Sequence, residues 1–191
     1  MRRGLTPSQT VGPFFHPALL HEGWNDLTAR GAAGERVVIE GKVVDGAGAP
    51  VNDAMIEVWQ ASAAGRYDHP EDRQERPADP NFHGFGRVGT SKDGSFRFRT
   101  IKPGPVPGHG DAVQAPHLNL TIFARGLLKQ LLTRIYFPDE PLNSGDPILS
   151  ALSPDARATL IARPAGRGGA ERTLRFDIVL QGKDETVFLE V

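Results

Sequence analysis

The 191-residue chain contains no cysteine, and it has only two tyrosines, Tyr67 and Tyr136. The absence of cysteine excludes disulfides and cysteine-ligated metal sites, and it is compatible with the reducing cytoplasm, where we expect the protein to reside. The scarcity of tyrosine leaves only two phenol groups that could serve a metal or an acid–base step. Chemistry that needs several thiolate or phenolate ligands is therefore outside the reach of this chain.

The sequence also lacks an excess of either charge, since 22 Lys and Arg residues stand against 23 Asp and Glu residues. The charges are interspersed, which gives no electrostatic reason to expect nucleic acid or an anionic membrane as a partner. No apolar run reaches the roughly 18 residues of a membrane-spanning helix. The basic start, Met1 to Leu5, leads into Pro7 and Ser8 rather than an apolar segment, so we expect no signal peptide.

Glycine and proline are frequent, with 22 and 16 residues, and the aliphatic runs between them are short. This pattern predicts many short strands joined by turns, and hence an all-β fold of the sandwich type with few short helices. Residues 1–34 read as an extended N-terminal arm with one helical turn at 19–27, and residues 35–191 as the sandwich. Strands are predicted at 36–44, 54–61, 85–90, 95–101, 117–124, 131–137, 157–163, 173–180 and 185–189, with Ser153 as an alternative helix start.

The stretch from residue 115 to 126 alternates between polar and apolar side chains and is typical of a strand. Side chains two apart on a strand share a face, so His117, Asn119 and Thr121 point one way while the intervening aliphatic residues enter the core. A His-x-His pair on such a strand would offer two imidazoles to one metal ion. Here the second position is asparagine, whose amide is a poor ligand for ferric iron.

Several motifs stand in order along nearly the whole chain, at residues 6–14, 56–61, 79–82, 84–87, 100–104, 134–137, 175–178 and 181–182. Together they resemble the intradiol ring-cleavage dioxygenases, and within them the alpha chain of the two-chain enzymes that cleave protocatechuate. The resemblance implies a β-sandwich with a transthyretin-like strand layout. It also implies a homologous beta subunit as partner, and a hetero-oligomer of alpha–beta pairs.

In catalytic members of that family two tyrosines and two histidines hold ferric iron, and three of the four matching positions here carry other residue types. The ligand positions fall on Gln74, Val106, His117 and Asn119. A single histidine cannot hold ferric iron without phenolate ligands. The resemblance therefore implies a vestigial metal site in this chain, with Fe(III) held by the partner beta subunit.

The resemblance also implies four substrate-binding residues, which lie away from the vestigial site and serve the partner's iron. Arg125 matches an arginine that contacts the substrate carboxylate, a contact for which a planar guanidinium is well suited. Thr10, Gly12 and Pro13 match residues that line the substrate cavity. Eight residues of strand, about 26 Å, separate Arg125 from His117, and the two share a face if the strand continues unbroken. The implied reaction converts 3,4-dihydroxybenzoate and O2 into 3-carboxy-cis,cis-muconate.

Other readings of these residues stay open at this point. His117 by itself is more often a hydrogen-bonded structural histidine than a ligand, and Arg125 without the resemblance is a surface arginine in a salt bridge. The chain as a whole could be a self-sufficient catechol or hydroxyquinol dioxygenase, or a non-catalytic transthyretin-like binding module. The glycine pattern at 84–89 is not a dinucleotide site, because a strand follows where that motif requires a helix.

Overall fold

Two β-sheets pack face to face in the computed structural model, which describes residues 4–12, 14–168 and 171–190. The strands are β1 (Arg36–Val44), β2 (Met55–Trp59), β3 (Phe85–Gly89), β4 (Ser95–Ile101), β5 (Val106–Pro107), β6 (Val113–Gln114), β7 (His117–Phe123), β8 (Leu131–Tyr136), β9 (Arg163–Gly168), β10 (Glu171–Arg175) and β11 (Ile178–Val179). In the first sheet β4 pairs antiparallel with β1, β1 pairs parallel with both β10 and β11, and β10 pairs antiparallel with β9. The second sheet is antiparallel throughout, in the order β3-β2-β7-β8.

The core lies between the two sheets and is built from the alternate residues of their strands. Ile39 and Phe98 enter it from the first sheet, and Ile56, Leu120 and Ile135 enter it from the second. Each of these side chains is at most 1% exposed, which is the burial that strict alternation along a strand predicts. The all-β sandwich expected from the sequence is confirmed.

In the described part of the chain, three short α-helices and one 3₁₀ helix lie outside the sheets. They are α1 (Phe15–Leu19), the 3₁₀ helix (Pro141–Gly145), α2 (Pro147–Ala151) and α3 (Pro154–Ala158). Each of the last three has a proline at its start and an acidic or hydroxyl side chain that caps it, which is how such short helices are fixed at their N-termini. No helix among the described residues is long and apolar enough to cross a membrane.

The predicted strand bounds agree with the structure best where alternation is strict. The strands at 36–44 and 95–101 have the bounds predicted for them, and those at 117–124 and 131–137 end one residue early. The strand at 157–163 is wrong, because the alternative helix forms: the Ser153 hydroxyl accepts a hydrogen bond from Ala156 N (3.3 Å) and caps α3. The segment at 173–180 is divided into β10 and β11, and β5, β6 and β9 were not predicted.

Two further expectations at the ends of the chain are wrong in detail. The helical turn forms at Phe15–Leu19 rather than at 19–27. Within the described stretch 185–190 no strand forms, although Leu189 N donates to Leu132 O over 2.7 Å and holds the segment against β8. The second half of the predicted arm joins the sandwich, since Leu27 and Ala32 are part of the main core cluster. Residues 4–10, in contrast, are all exposed.

A fully buried carboxylate, Asp146, joins α2 to the edge of the second sheet. It accepts hydrogen bonds from the backbone N–H groups of Ile148 (2.9 Å), Leu149 (3.0 Å) and Ala115 (2.9 Å), and from the Tyr136 hydroxyl (3.0 Å). One side chain thus caps a helix and fixes the segment that enters β7. A buried group with this many donors cannot be removed without leaving them unpaired.

Replacing Asp146 with alanine should lower the free energy of unfolding by about 3 kcal/mol, because the cap is lost and buried donors are left without partners. Urea unfolding of the purified chain, followed by circular dichroism, measures the change. Asp155→Ala is the matched control, since Asp155 is exposed in the first turn of α3 and should cost only a few tenths of a kcal/mol. A loss below about 1 kcal/mol for Asp146→Ala would contradict this account.

Candidate functional site

A cavity of about 830 Å³ opens beside β5 and β6, and two of the four predicted vestigial positions line it. These are Gln74 and Val106, together with the ring pair of Trp59 and Tyr67, whose centroids are 5.6 Å apart at an interplanar angle of 20°. Gln114 completes the inner wall. The structure therefore brings positions 74 and 106 together, as the family pattern implies.

Neither of these two side chains is a competent ligand for ferric iron. The Gln74 amide donates to Gly65 O (3.1 Å) and to the Asp72 carboxylate (3.0 Å), so it is bound to its own loop. Val106 is an alkyl group, 3% exposed, and offers no lone pair. Where catalytic family members place two phenolates, this chain places one engaged amide and one hydrocarbon.

Asn119 is held at both ends of its amide. Its Nδ2 donates to Trp59 O (3.1 Å) and to the Tyr67 hydroxyl (3.3 Å), while its Oδ1 accepts from Arg134 Nε (3.0 Å). The contact with Trp59 follows from the sheet register, since Trp59 and Asn119 are paired across β2 and β7. Asn119 therefore connects the cavity wall to Arg134 and has no free acceptor directed at a metal.

Arg134 places a permanent positive charge next to Asn119, one of the four vestigial ligand positions. Besides its bond to Asn119, its guanidinium donates to Gln114 Oε1 (2.6 Å) and to the Tyr136 hydroxyl (3.4 Å). A partly buried cation repels a second one strongly, because the screening by water is reduced. The charge of Arg134 is thus a second obstacle to iron, independent of the missing ligands.

His117 is buried, with 3% of its surface exposed, and it packs against Tyr136 with ring centroids 5.7 Å apart. Its Nδ1 donates to Ala115 O over 2.7 Å, and its Nε2 has no hydrogen-bond partner among the residues that the structure describes. Burial, helped by the nearby charge of Arg134, lowers the pKa of His117 to about 4. The imidazole is therefore neutral at pH 7, and it behaves as a buried structural histidine.

The two tyrosines of the chain are protonated phenols rather than phenolates. Burial raises the pKa of Tyr67, although the hydrogen bond from Asn119 acts in the opposite direction. Burial also raises the pKa of Tyr136, whose hydroxyl donates to Asp146. Neither phenol can substitute for the ligands that positions 74 and 106 lack.

Taken together, the residues at the four ligand positions do not fit ferric iron. They supply one neutral imidazole, two engaged amides and an alkyl group, with a guanidinium bonded to one of the amides. In the parts of the chain that the structure describes, no three His, Cys, Asp or Glu side chains form a cluster suited to a metal ion. The cavity can accept a ligand by shape, but it cannot perform iron chemistry.

A second cluster of predicted residues lies beyond the opposite end of β7, on the turn that contains Arg125. The turn is closed by Leu127 N, which donates to Ala124 O (3.3 Å), and Gly126 occupies its third position with φ 85°. A positive φ there favours glycine, because a Cβ would be strained. Arg125 is the residue before it, and its side chain is 76% exposed.

Thr10 binds this turn directly and brings the arm to Arg125. Its hydroxyl accepts a hydrogen bond from Gly126 N (2.8 Å) and donates weakly to Ala124 O (3.5 Å), so it bridges the residues on either side of Arg125. Gly12 is exposed, and a Cβ at that position would meet no atom within 4 Å. The structure thus brings Thr10 and Arg125 together, while Pro13 lies outside the described residues.

Arg125 is also paired with an acidic residue that the sequence analysis missed. Its Nε contacts the carboxylate of Asp53, whose side chain is only 20% exposed. Asp53 lies 72 residues earlier in the chain, in a turn before β2, and carries no motif of its own. Only the register between β2 and β7 could have indicated this pair from the sequence.

The condition under which Arg125 would share a strand face with His117 is not met, because β7 ends at Phe123 and the turn sets the direction of Arg125. The strand nevertheless separates the two regions. Its six residue steps from His117 to Phe123 span about 20 Å. The vestigial pocket and the Arg125 turn are therefore distinct sites at opposite ends of one strand.

Comparisons with known proteins agree with this geometry. A sequence model of the family described as Dioxygenase matches residues 11–182. The protocatechuate 3,4-dioxygenase alpha chain of Burkholderia cepacia is 41% identical over 198 residues, which is 97% of this chain and 97% of that protein. The beta chain from the same organism is 43% identical over 158 residues, or 80% of this chain and 67% of that protein. The solved dioxygenase domain of a dioxygenase–carbohydrate-binding fusion from Streptomyces sp. SirexAA-E covers 93% of this chain and 99% of the domain, with 30% identity and a TM-score of 0.66.

The chain purified alone should contain no stoichiometric ferric iron. It lacks phenolate ligands at the ligand positions, and it carries the positive charge of Arg134 beside Asn119. Metal analysis after incubation with iron and desalting measures the content, and visible absorption reports any tyrosinate-to-iron band. A coloured preparation with one iron per chain would refute the assignment. A sample incubated with a chelator alone provides the background.

The buried neutral His117 should make the chain less stable as the pH falls from about 6.5 to about 4. Within that window the unfolded state binds a proton that the folded state does not, so the free energy of unfolding falls with pH, by at most about 3 kcal/mol in total. Urea unfolding at several pH values measures the slope. His117→Gln should flatten it, whereas His109→Gln, an exposed loop variant, should not. An unchanged slope in His117→Gln would show that other groups cause the dependence.

Proposed function

The chain belongs to the intradiol ring-cleavage dioxygenase family, and from this membership we propose that it is the alpha subunit of a protocatechuate 3,4-dioxygenase. The observation that carries the proposal is the combination of a match over 97% of the chain to such an alpha chain with ligand positions that do not fit iron. The enzyme is an oxidoreductase in which this subunit helps to bind the substrate and to shape the active site, and does not carry out the redox step.

The reaction proposed for the assembled enzyme is intradiol cleavage of 3,4-dihydroxybenzoate. The bond between the two hydroxyl-bearing carbons breaks, both atoms of O2 enter the product, and 3-carboxy-cis,cis-muconate results. We assign the ferric iron to a homologous beta subunit, since the residues of this chain do not fit it. A cytoplasmic location stays a prediction from the absence of cysteine.

Support for a partner comes from the exposed arm. Leu5 is 99% exposed and Phe14 is 81% exposed, which is unusual for large apolar side chains of one region. The arm is nonetheless anchored to β7 near its middle, because Phe15 packs on Phe123 with ring centroids 5.4 Å apart. We propose that residues 1–34 contribute to the contact with the beta subunit, which covers these apolar groups. In Burkholderia cepacia both chain types exist, and both are similar to this one.

Within that contact we propose that Arg125 binds the ring carboxylate of the substrate and that Thr10, Gly12 and Pro13 line the cavity. The exposed guanidinium of Arg125 has free N–H groups of the right geometry for a paired contact with carboxylate. Thr10 fixes the turn on both sides of Arg125, and Gly12 leaves open space in which a substrate or partner backbone can approach. Orientation of this kind contributes to rate by reducing the entropy lost on reaching the transition state.

The alternative functions fit less well. A self-sufficient catechol or hydroxyquinol dioxygenase requires iron ligands at the positions held by Gln74, Val106 and Asn119. A non-catalytic transthyretin-like module would share the strand layout, but it does not account for a Dioxygenase family match from residue 11 to residue 182. The match includes the arm from residue 11 onward and the turn of Arg125, which lie outside a bare sandwich core.

Replacing Arg125 with alanine in the assembled enzyme should reduce kcat/KM for protocatechuate by about 10- to 100-fold, the size of a charge-assisted contact worth about 1.4–2.8 kcal/mol. Cleavage of catechol should change much less, because catechol has no carboxylate. Steady-state oxygen consumption with both substrates measures the ratio.

The matched control is Arg163→Ala. Arg163 is similarly exposed at 71%, lies on β9 of the first sheet, and pairs with Asp177 between β10 and β11. It should leave both substrates unaffected. An equal loss for protocatechuate and catechol in Arg125→Ala would remove the carboxylate role, because the damage would then be general rather than specific to the charged group.

A further inference from the structure

We propose that Asp53 is the positioning residue for Arg125, holding one edge of the guanidinium so that the other edge is presented to a carboxylate. The inference rests on the proposed function of Arg125 and extends it to a residue in a different part of the chain. Among the acidic side chains that the structure describes, Asp53 is the one paired with Arg125. The contact therefore decides how the exposed guanidinium is oriented.

The pairing of β2 with β7 brings the turns that carry Asp53 and Arg125 next to each other. In this antiparallel pairing Met55 lies opposite Phe123 and is the last paired residue at that end. The turn of Asp53 comes just before Met55, and the turn of Arg125 comes just after Phe123. Both residues therefore lie beyond the same end of the paired strands, and the opposite charges of their side chains attract.

The two turns that carry Asp53 and Arg125 are each held by hydrogen bonds from outside the pair. On the Asp53 side, Ala54 N donates to the Thr90 hydroxyl (3.0 Å) and Ala54 O accepts from Thr90 N (2.9 Å). On the Arg125 side, the Thr10 hydroxyl accepts from Gly126 N. The two backbones are thus fixed, and the ion pair removes the remaining freedom of the long arginine side chain.

The atoms in contact leave the functional edge free. Asp53 engages Nε of Arg125, which lies on one side of the planar guanidinium. The edge formed by the two terminal nitrogens still carries parallel N–H groups, which is the arrangement that binds a carboxylate in a paired fashion. The two side chains also differ in exposure, since Asp53 is 20% exposed and Arg125 is 76% exposed. Asp53 therefore contacts Arg125 from the protein side, and most of the guanidinium is open to solvent.

A competing role for Asp53 makes the opposite prediction. If its carboxylate merely occupied Arg125, it would compete with the substrate, and its removal would strengthen protocatechuate binding. If it positions Arg125, its removal weakens protocatechuate binding and leaves catechol unaffected. The direction of the change in KM for protocatechuate thus distinguishes the two roles.

The test uses the assembled alpha–beta enzyme with four variants: Asp53→Asn, Arg125→Ala, the double variant, and Glu57→Gln as control. Glu57 lies on β2, four residues after Asp53. It is 21% exposed and pairs with Arg87, so it matches Asp53 in burial and in the kind of ion pair that the substitution breaks. We expect Asp53→Asn to raise KM for protocatechuate about tenfold with little change in kcat, and to leave catechol and the control unaffected. The double variant should be no worse than Arg125→Ala alone, because Asp53 acts through Arg125.

Three outcomes would overturn the inference: an unchanged or lowered KM for protocatechuate in Asp53→Asn, an equal loss for catechol, or additive losses in the double variant. Selectivity lost in Arg125→Ala but kept in Asp53→Asn would reject the positioning role and leave the proposed function intact. Selectivity kept in both would reject the role of Arg125 itself. If Asp53→Asn does not assemble, Asp53→Ser, which buries no amide, gives the same readout.

Discussion

A single antiparallel register, that of β2 against β7, determines the geometry at both ends of this molecule. At one end it sets Trp59 against Asn119, and Trp59 O fixes the amide of Asn119. At the other end it sets Met55 against Phe123, so that the two turns beyond this pair bring Asp53 to Arg125. A slip of one residue would turn Leu120 and its neighbours out of the core, so burial of the strand's apolar face fixes the register. The core thereby specifies two surface sites that share no side chain.

The vestigial pocket is a polar network complete in itself, rather than a metal site with a missing ion. Asn119 joins Trp59, Tyr67 and Arg134, and Arg134 in turn reaches Gln114 and Tyr136. A partly buried guanidinium is stable where acceptors surround it, and two amide oxygens and a phenol supply them here. Restoring a histidine at position 119 would remove one of these three acceptors and would place a further ligand beside the positive charge of Arg134.

The sequence was sufficient where local pattern and burial agree, and insufficient where contacts are set by distant residues. Strict alternation predicted β1 and β4 at their observed bounds, and it identified the core face of β7. The segment at 157–163 misled because its spacing suits a strand and a helix about equally, and the Ser153 cap decided for the helix. The sequence did not predict β9, because proline within a short segment such as 163–168 is typical of a loop rather than of a strand. Asp53 and Arg134 could not be assigned roles at all, because their partners lie 72 and 15 residues away and only the folded sheet brings them together.

The separation of the two sites along β7 makes the residues at the ligand positions independent of the turn for which we propose carboxylate binding. About 20 Å of strand divides the region of His117 from the turn of Arg125, which is more than two Debye lengths at physiological salt. Replacement of ligands at one end therefore has little electrostatic effect on the guanidinium at the other. What both sites require is an intact β2–β7 register, and the same buried core fixes that register for both. Selection for carboxylate binding alone would preserve the whole sandwich, including the pocket that no longer suits a metal.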